Sequence, residues 1–123
     1  MFQSAQFAPL SERRTITVSL IGDLDARLGE ILAETVADLV RRGESDLTID
    51  FEHVETMEGP GLAAAARVLA QHRLAGCTIE ATAKKRRVRS ALNASRVPLA
   101  RRDATSPFSR AGRHVMIAHN ASL

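Results

Sequence analysis

The chain predicts a single α/β domain with a mixed sheet of four to five strands and helices packed mainly against one face, on three observations. Apolar and polar residues alternate in three short stretches, helical apolar stripes lie between those stretches, and the first two stretches carry polar side chains on their second face. Strands covered by helices on both sides read instead as nearly continuous apolar runs. The polar residues Thr17, Ser19, Thr48 and Asp50 therefore argue that one side of the sheet stays free of helices.

Taken in order, residues 1–13 hold Phe2, Phe7 and Pro9, which fit an edge strand followed by a turn or a loose terminus. Ile16, Val18 and Leu20 form the first alternating stretch. Leu28, Ile31, Leu32, Val36, Leu39 and Val40 then recur at spacings of three and four, one apolar stripe on a helix that Asp25 can cap and Gly43 can close. Leu47, Ile49 and Phe51 give the second strand. A helix of about four turns follows through Leu62, Ala65, Ala66, Leu69 and Arg73 to Gly76. Cys77, Ile79 and Ala81 give the third strand, and Lys84 to Asn93 a short basic helix with Val88 and Leu92 facing inward. Strand, helix and strand in succession imply right-handed crossovers between parallel neighbours. Beyond Pro98, Ser106 and Pro107 suit a helix start, with Phe108, Val115 and Met116 as docking residues. The chain thus divides into an N-terminal segment 1–13, a domain 14–100 and a basic segment 101–123.

Composition excludes several function classes. The 123 residues bury roughly two thirds of their unfolded surface as one domain. With four Phe and no Trp or Tyr, the core is aliphatic and stacking platforms for bases or sugars are nearly absent. No apolar run approaches the roughly 18 residues of a spanning helix, and no basic segment followed by an apolar one opens the chain, so cytoplasmic residence is expected. The lone Cys77 forms no internal disulfide and reads as a small buried residue. Residues 1–83 carry 7 basic and 13 acidic side chains, whereas residues 84–123 carry 10 basic and 1 acidic. That asymmetry raises the question of nucleic acid or an anionic surface. Helical geometry, however, spreads Lys84, Lys85, Arg86, Arg87 and Arg89 around a cylinder, and a solvated face is the reading adopted here, with no specific nucleic-acid partner and no membrane insertion.

Two turns carry the candidate functional residues. Gly22-Asp23-Leu24-Asp25 joins the first strand to the first helix, where carboxylates offset the positive helix pole. Thr56-Met57-Glu58-Gly59-Pro60-Gly61-Leu62 joins the second strand to the second helix. Pro60 fits the first helical position and Gly59 falls at or beside the N-cap, leaving backbone N–H groups for an acceptor from another molecule. The spacing matches neither dinucleotide nor P-loop glycine patterns, and no G-x-S-x-G elbow is present. Of His53, His72, His114 and His119, the last two are five apart, one more than the helical pairing, and no thiol or carboxylate completes a set with them, so neither metal nor cofactor is expected.

These residues, in this order, resemble the STAS domain of anti-sigma-factor antagonists. Thr15 to Asp25 is similar to the family's opening strand and its Gly-Glu-Leu-Asp turn, with Asp23 for the glutamate. Leu47 to Leu62 resembles the strand, loop and Asp-Ser-Ser-Gly-Leu motif, written here Glu58-Gly59-Pro60-Gly61-Leu62. Leu74 to Ile79 resembles the glycine-then-strand element, and Val88 to Val97 the third helix and following turn. The resemblance implies a non-catalytic module whose first motif serine is phosphorylated by an anti-sigma kinase, breaking the complex. Gly59 holds that position and Pro60 the next, so neither offers a hydroxyl. The resemblance therefore implies binding of an anti-sigma factor or related signalling protein without phosphorylation control, in stress or sigma-factor signalling. The expected partner surface comprises Asp23, Asp25, Glu58, Gly59, Pro60, Gly61, Ala64 and Arg67, with Ala63 to Ala66 permitting close approach. Two alternatives stand beside it: a cytoplasmic accessory subunit of a membrane transporter, and a nucleotide-binding enzyme. Homodimerisation stays open.

Overall fold

The structure, a computed structural model, describes residues 15–100 and 113–119. Strand β1 (Ile16–Leu24) leads through helix α1 (Ala26–Arg41) to β2 (Asp46–Met57); helix α2 (Gly59–Leu74) leads to β3 (Thr78–Thr82). Helix α3 (Arg86–Ala94) and strand β4 (Arg113–His119) follow. The sheet order is β3-β2-β1-β4, and every pairing is parallel. A mixed sheet is thus not seen among the described residues, because each of these strands enters from the same end after a crossover. The segment 1–13, where an additional edge strand was expected, lies outside them.

The core sits between one sheet face and the helices. Ile16, Val18, Leu20, Leu47, Ile49, Phe51, Ile79 and Ala81 meet Leu28, Leu32, Val36, Leu39, Val68, Leu69, Val88 and Leu92 in a single buried cluster. Fully burying each large aliphatic chain contributes about 1.5–3 kcal/mol. Period two on the strands and period 3.6 on the helices place these residues on facing surfaces.

Residues 113–119 correct the sequence reading. Val115 and Met116 belong to an edge strand paired with β1, not to a docking helix; Ser106, Pro107 and Phe108 lie outside the described residues. The physical reason is alternation: Val115 and Ile117 are half-buried against the core while His114, Met116 and Ala118 are exposed. Strand β2 also runs past Phe51 to Met57, with register shifts opposite Ser19/Ile21 and Gly22/Asp23 that re-aim its second half. Cys77 is half-buried rather than buried.

On the sheet face that no described helix covers, one polar chain crosses all four strands. Thr82 of β3 donates to Asp50 Oδ1 of β2 at 3.3 Å, Ser19 of β1 donates to Asp50 Oδ2 at 3.2 Å, and His114 Nε2 of β4 lies 2.8 Å from Ser19 Oγ. Serine has one proton, so with that proton on Asp50 the histidine Nε2–H donates to Ser19. Ser19 is only 1% exposed. Ser19→Ala leaves two polar atoms without their partner and is expected to cost about 1–3 kcal/mol in urea denaturation. Hydrogen exchange should rise first in Arg113–His119; unchanged protection there would sink this account of how β4 is held.

Candidate functional site

The two loops singled out in the sequence meet at the carboxyl ends of β1 and β2. Gly22 adopts φ 98°, a left-handed conformation suited to glycine, beside the register shift that turns β1 toward α1. Asp25 is the N-cap of α1, its Oδ1 accepting from Leu28 N–H at 2.9 Å. Such a cap stabilises a helix by about 1 kcal/mol. Asp23 Oδ1 accepts from Thr56 Oγ1 at 2.8 Å, tying the first loop to the second. Glu58 N–H donates to the Leu24 carbonyl at 2.9 Å, closing the same junction through backbone.

Helix α2 begins at this junction. Glu58 is its N-cap but makes no side-chain cap bond; Gly59 is its first residue and Pro60 follows within the first turn, one position later than expected. Glu58, Gly59 and Pro60 are exposed, and a Cβ built on Gly59 meets nothing within 4 Å. Gly61 is the opposite case: it is buried, and its Cβ would run into the Leu24 carbonyl and fall 2.7 Å from the carbonyl oxygen of Asp25.

The expected surface therefore separates into two parts. Asp23 and Asp25 are half-buried with hydrogen-bonding duties, Glu58, Gly59, Pro60 and Arg67 are exposed, and Gly61 is interior. Ala64 packs half-buried against Gly29, where a Cβ on the glycine would lie 2.6 Å from Ala64 Cβ. Ala63 faces solvent, Ala65 is buried and Ala66 half-buried. Four consecutive helical residues fan out over about 300° of the helix circumference, so Ala63 to Ala66 cannot form one outward face. Their small size serves the contact of α2 with α1. The outward line is Gly59, Ala63 and Arg67, spaced by four.

A second group emerges only in three dimensions. Asp50, Glu52 and His53 bring ligand-type atoms within 4.8 Å of one another. Asp50 accepts from Ser19, Thr82 and the Glu52 N–H, and Glu52 pairs with Lys84 at 2.7 Å. These partners already occupy the carboxylates, so the trio offers no prepared cation site. The hydrogen bond from Lys84 holds the Glu52 carboxyl below its ordinary value, and the same bond raises Lys84. The pair's contribution is present above the ordinary glutamate pKa and fades as pH falls through the lowered one. At the alkaline end it fades as pH rises through the raised lysine value. Lys84 is exposed and Glu52 half-buried at the surface, so it is small and salt-sensitive. Ser19, His114 and Asp50 do not form a nucleophile relay either: the carboxylate binds the serine rather than orienting the imidazole, and the serine is buried. Sequence patterning puts Ser19 and Asp50 on the polar face; only the placement of β4 brings His114 to them.

A contrast between two glycines tests the construction of the site. Gly61→Ala drives a methyl group into backbone and is expected to cost at least roughly 1–3 kcal/mol. Gly59→Ala enters open space within the helix and should be neutral or stabilise by up to about 1 kcal/mol. Thermal or urea unfolding of the two variants measures this, and equal effects would contradict the geometry.

Comparison with known families and proteins gives two results. A family model described as Mlab, STAS domain, matches residues 8–98, well over half of the chain. No curated protein matches it.

Proposed function

Because this chain belongs to the STAS domain family, we propose that it is a non-catalytic interaction module that presents the tip of α2 to a regulatory protein without serine phosphorylation control. STAS domains are generally non-catalytic, which supports the first part. The observation that carries the second is Gly59: it is exposed, surrounded by open space, and stands where antagonists of this family carry their phosphorylated serine. A phosphoryl group there would add about −1.5 to −2 charges. Gly59 and Pro60 supply no side-chain oxygen to accept one, and Glu58 places an acidic side chain beside the helix start.

The partner surface proposed is the junction of Asp23 and Asp25 with Glu58, Gly59 and Pro60, continuing along α2 to Arg67. Gly61 and Ala64 act beneath it, fixing the distance between α2 and the β1–α1 turn. Under this reading the partner is an anti-sigma factor or a related signalling protein. The description of the matching family does not mention sigma-factor control, which keeps a second reading in view, an accessory subunit acting on a membrane transporter from the cytoplasmic side. No helix among the described residues is long and apolar enough to cross a membrane. Under either reading the chain itself supplies a docking surface.

A pull-down with identification of the retained proteins separates the readings: an anti-sigma factor favours the first, and a transporter component the second. Gly59→Asp, which crowds and charges the tip, should reduce retention about tenfold or more. Incubation with an anti-sigma kinase and ATP should add no phosphate between residues 56 and 62, while Gly59→Ser restores an acceptor hydroxyl in open space. Phosphate detected on Thr56 of the unaltered chain would refute phosphorylation-independent docking.

A further inference from the structure

The start of α3 carries a charge arrangement that the fold does not use. Lys84, Lys85, Arg86 and Arg87 are consecutive and exposed. Lys84 pairs with Glu52, and Lys85 Nζ approaches the Val54 carbonyl at 3.5 Å. Arg86 and Arg87 make no ion pair or side-chain hydrogen bond among the described residues. The first turn of α3 has no acidic residue, and Lys85 provides no side-chain cap. Cations at the positive end of a helix oppose its dipole, and four in succession repel one another. The folding contribution of α3 comes from Val88 and Leu92. Arg86 and Arg87 therefore contribute nothing to α3 as a helix.

Position relates this patch to the docking tip. In a parallel sheet the helices that follow β2 and β3 begin at the same end of the sheet, and the start of α3 meets β2 at Val54, three residues before that strand ends. Lys85 reaches β2 at Val54, and β2 then continues through Met57 to Glu58. Exposed Glu55 and half-buried Glu52 line one surface pocket with Lys85, and exposed Glu58 follows the end of β2. This end of the molecule is thus one surface of mixed charge, basic over α3 and acidic over the loops.

We infer that the partner's face extends beyond the α2 tip onto Lys85, Arg86 and Arg87 and presents acidic side chains to them; this rests on the docking reading above. Charge complementarity selects the class of partner. A duplex or a bilayer is negative throughout and would meet Glu52, Glu55 and Glu58 with repulsion, whereas a protein face can match both signs within one footprint.

The probe is a fluorescent oligoglutamate peptide, titrated by anisotropy against the full chain at low salt. Arg86→Glu combined with Arg87→Glu should weaken binding by about tenfold or more. Arg86→Gln with Arg87→Gln should lose an intermediate amount, and Arg101→Glu with Arg102→Glu should bind as the unaltered chain does. Both arginines are exposed, so thermal unfolding should show the reversed variant to be as stable as the parent. Binding that survives the reversal overturns the inference. So does tighter binding, through the same arginines, to a short random duplex or to phosphatidylglycerol vesicles. With the partner retained in the pull-down, the two ideas fail separately: retention unchanged by Gly59→Asp removes the docking reading, and retention unchanged by the arginine reversal removes only this extension.

Discussion

The approach of α2 to the β1–α1 turn is the contact on which the rest of this structure depends. A hydrogen atom at Gly61, in place of a side chain, lets the helix lie against the Leu24 and Asp25 carbonyls. Gly29 against Ala64 repeats the device one helical turn further along α2. With the helices this close, Glu58 N–H reaches Leu24, Thr56 reaches Asp23, and two loops separated by more than thirty residues become one surface. Small residues here are the means by which the site is assembled, and for that reason they are not themselves the outward face.

The helix-free side of the sheet is stabilised differently. It has no hydrophobic cover among the described elements, yet Ser19 at its centre is buried by its neighbours. A serine so placed needs its bonds, because an unsatisfied buried hydroxyl costs more than a satisfied one returns. Asp50 and His114 supply them, and Thr82 extends the chain to the opposite edge. The same carboxylate that anchors this chain also receives the Glu52 N–H beside the register shift in β2. Strand pairing and side-chain bonding therefore support one another across the sheet, and β4 is tied through its histidine as well as its backbone.

Much of this was legible in sequence, for reasons that also explain what was not. Period-two and period-3.6 patterns report which residues meet the core, so β1, β3 and the three helices could be read directly. The second half of β2 could not: register shifts let His53 and Glu55 break the alternation, and a pattern of fixed period ends where the strand bends. Strand β4 was missed because Ser106 and Pro107 signal a helix start locally, whereas Val115 and Ile117 gain their burial only from distant β1 and α1. Within the site, the two loops followed from turn chemistry and their joining into one surface from the family resemblance, but the direction of Ala64 followed from neither. A run of four alanines has no apolar stripe to reveal which one faces inward; the close contact with Gly29 decides it.

The glycines at 59 and 61 then separate what packing demands from what it leaves free. At position 61 the Leu24 carbonyl forbids any side chain, so glycine is required by the architecture. At position 59 nothing stands within reach of a Cβ, and the first helical residue tolerates serine as well as most others. The fold consequently gives no reason for the absence of a hydroxyl there. The missing acceptor is a property of the surface alone, separable from stability, and on the docking reading proposed above it leaves a partner's grip that does not answer to a kinase.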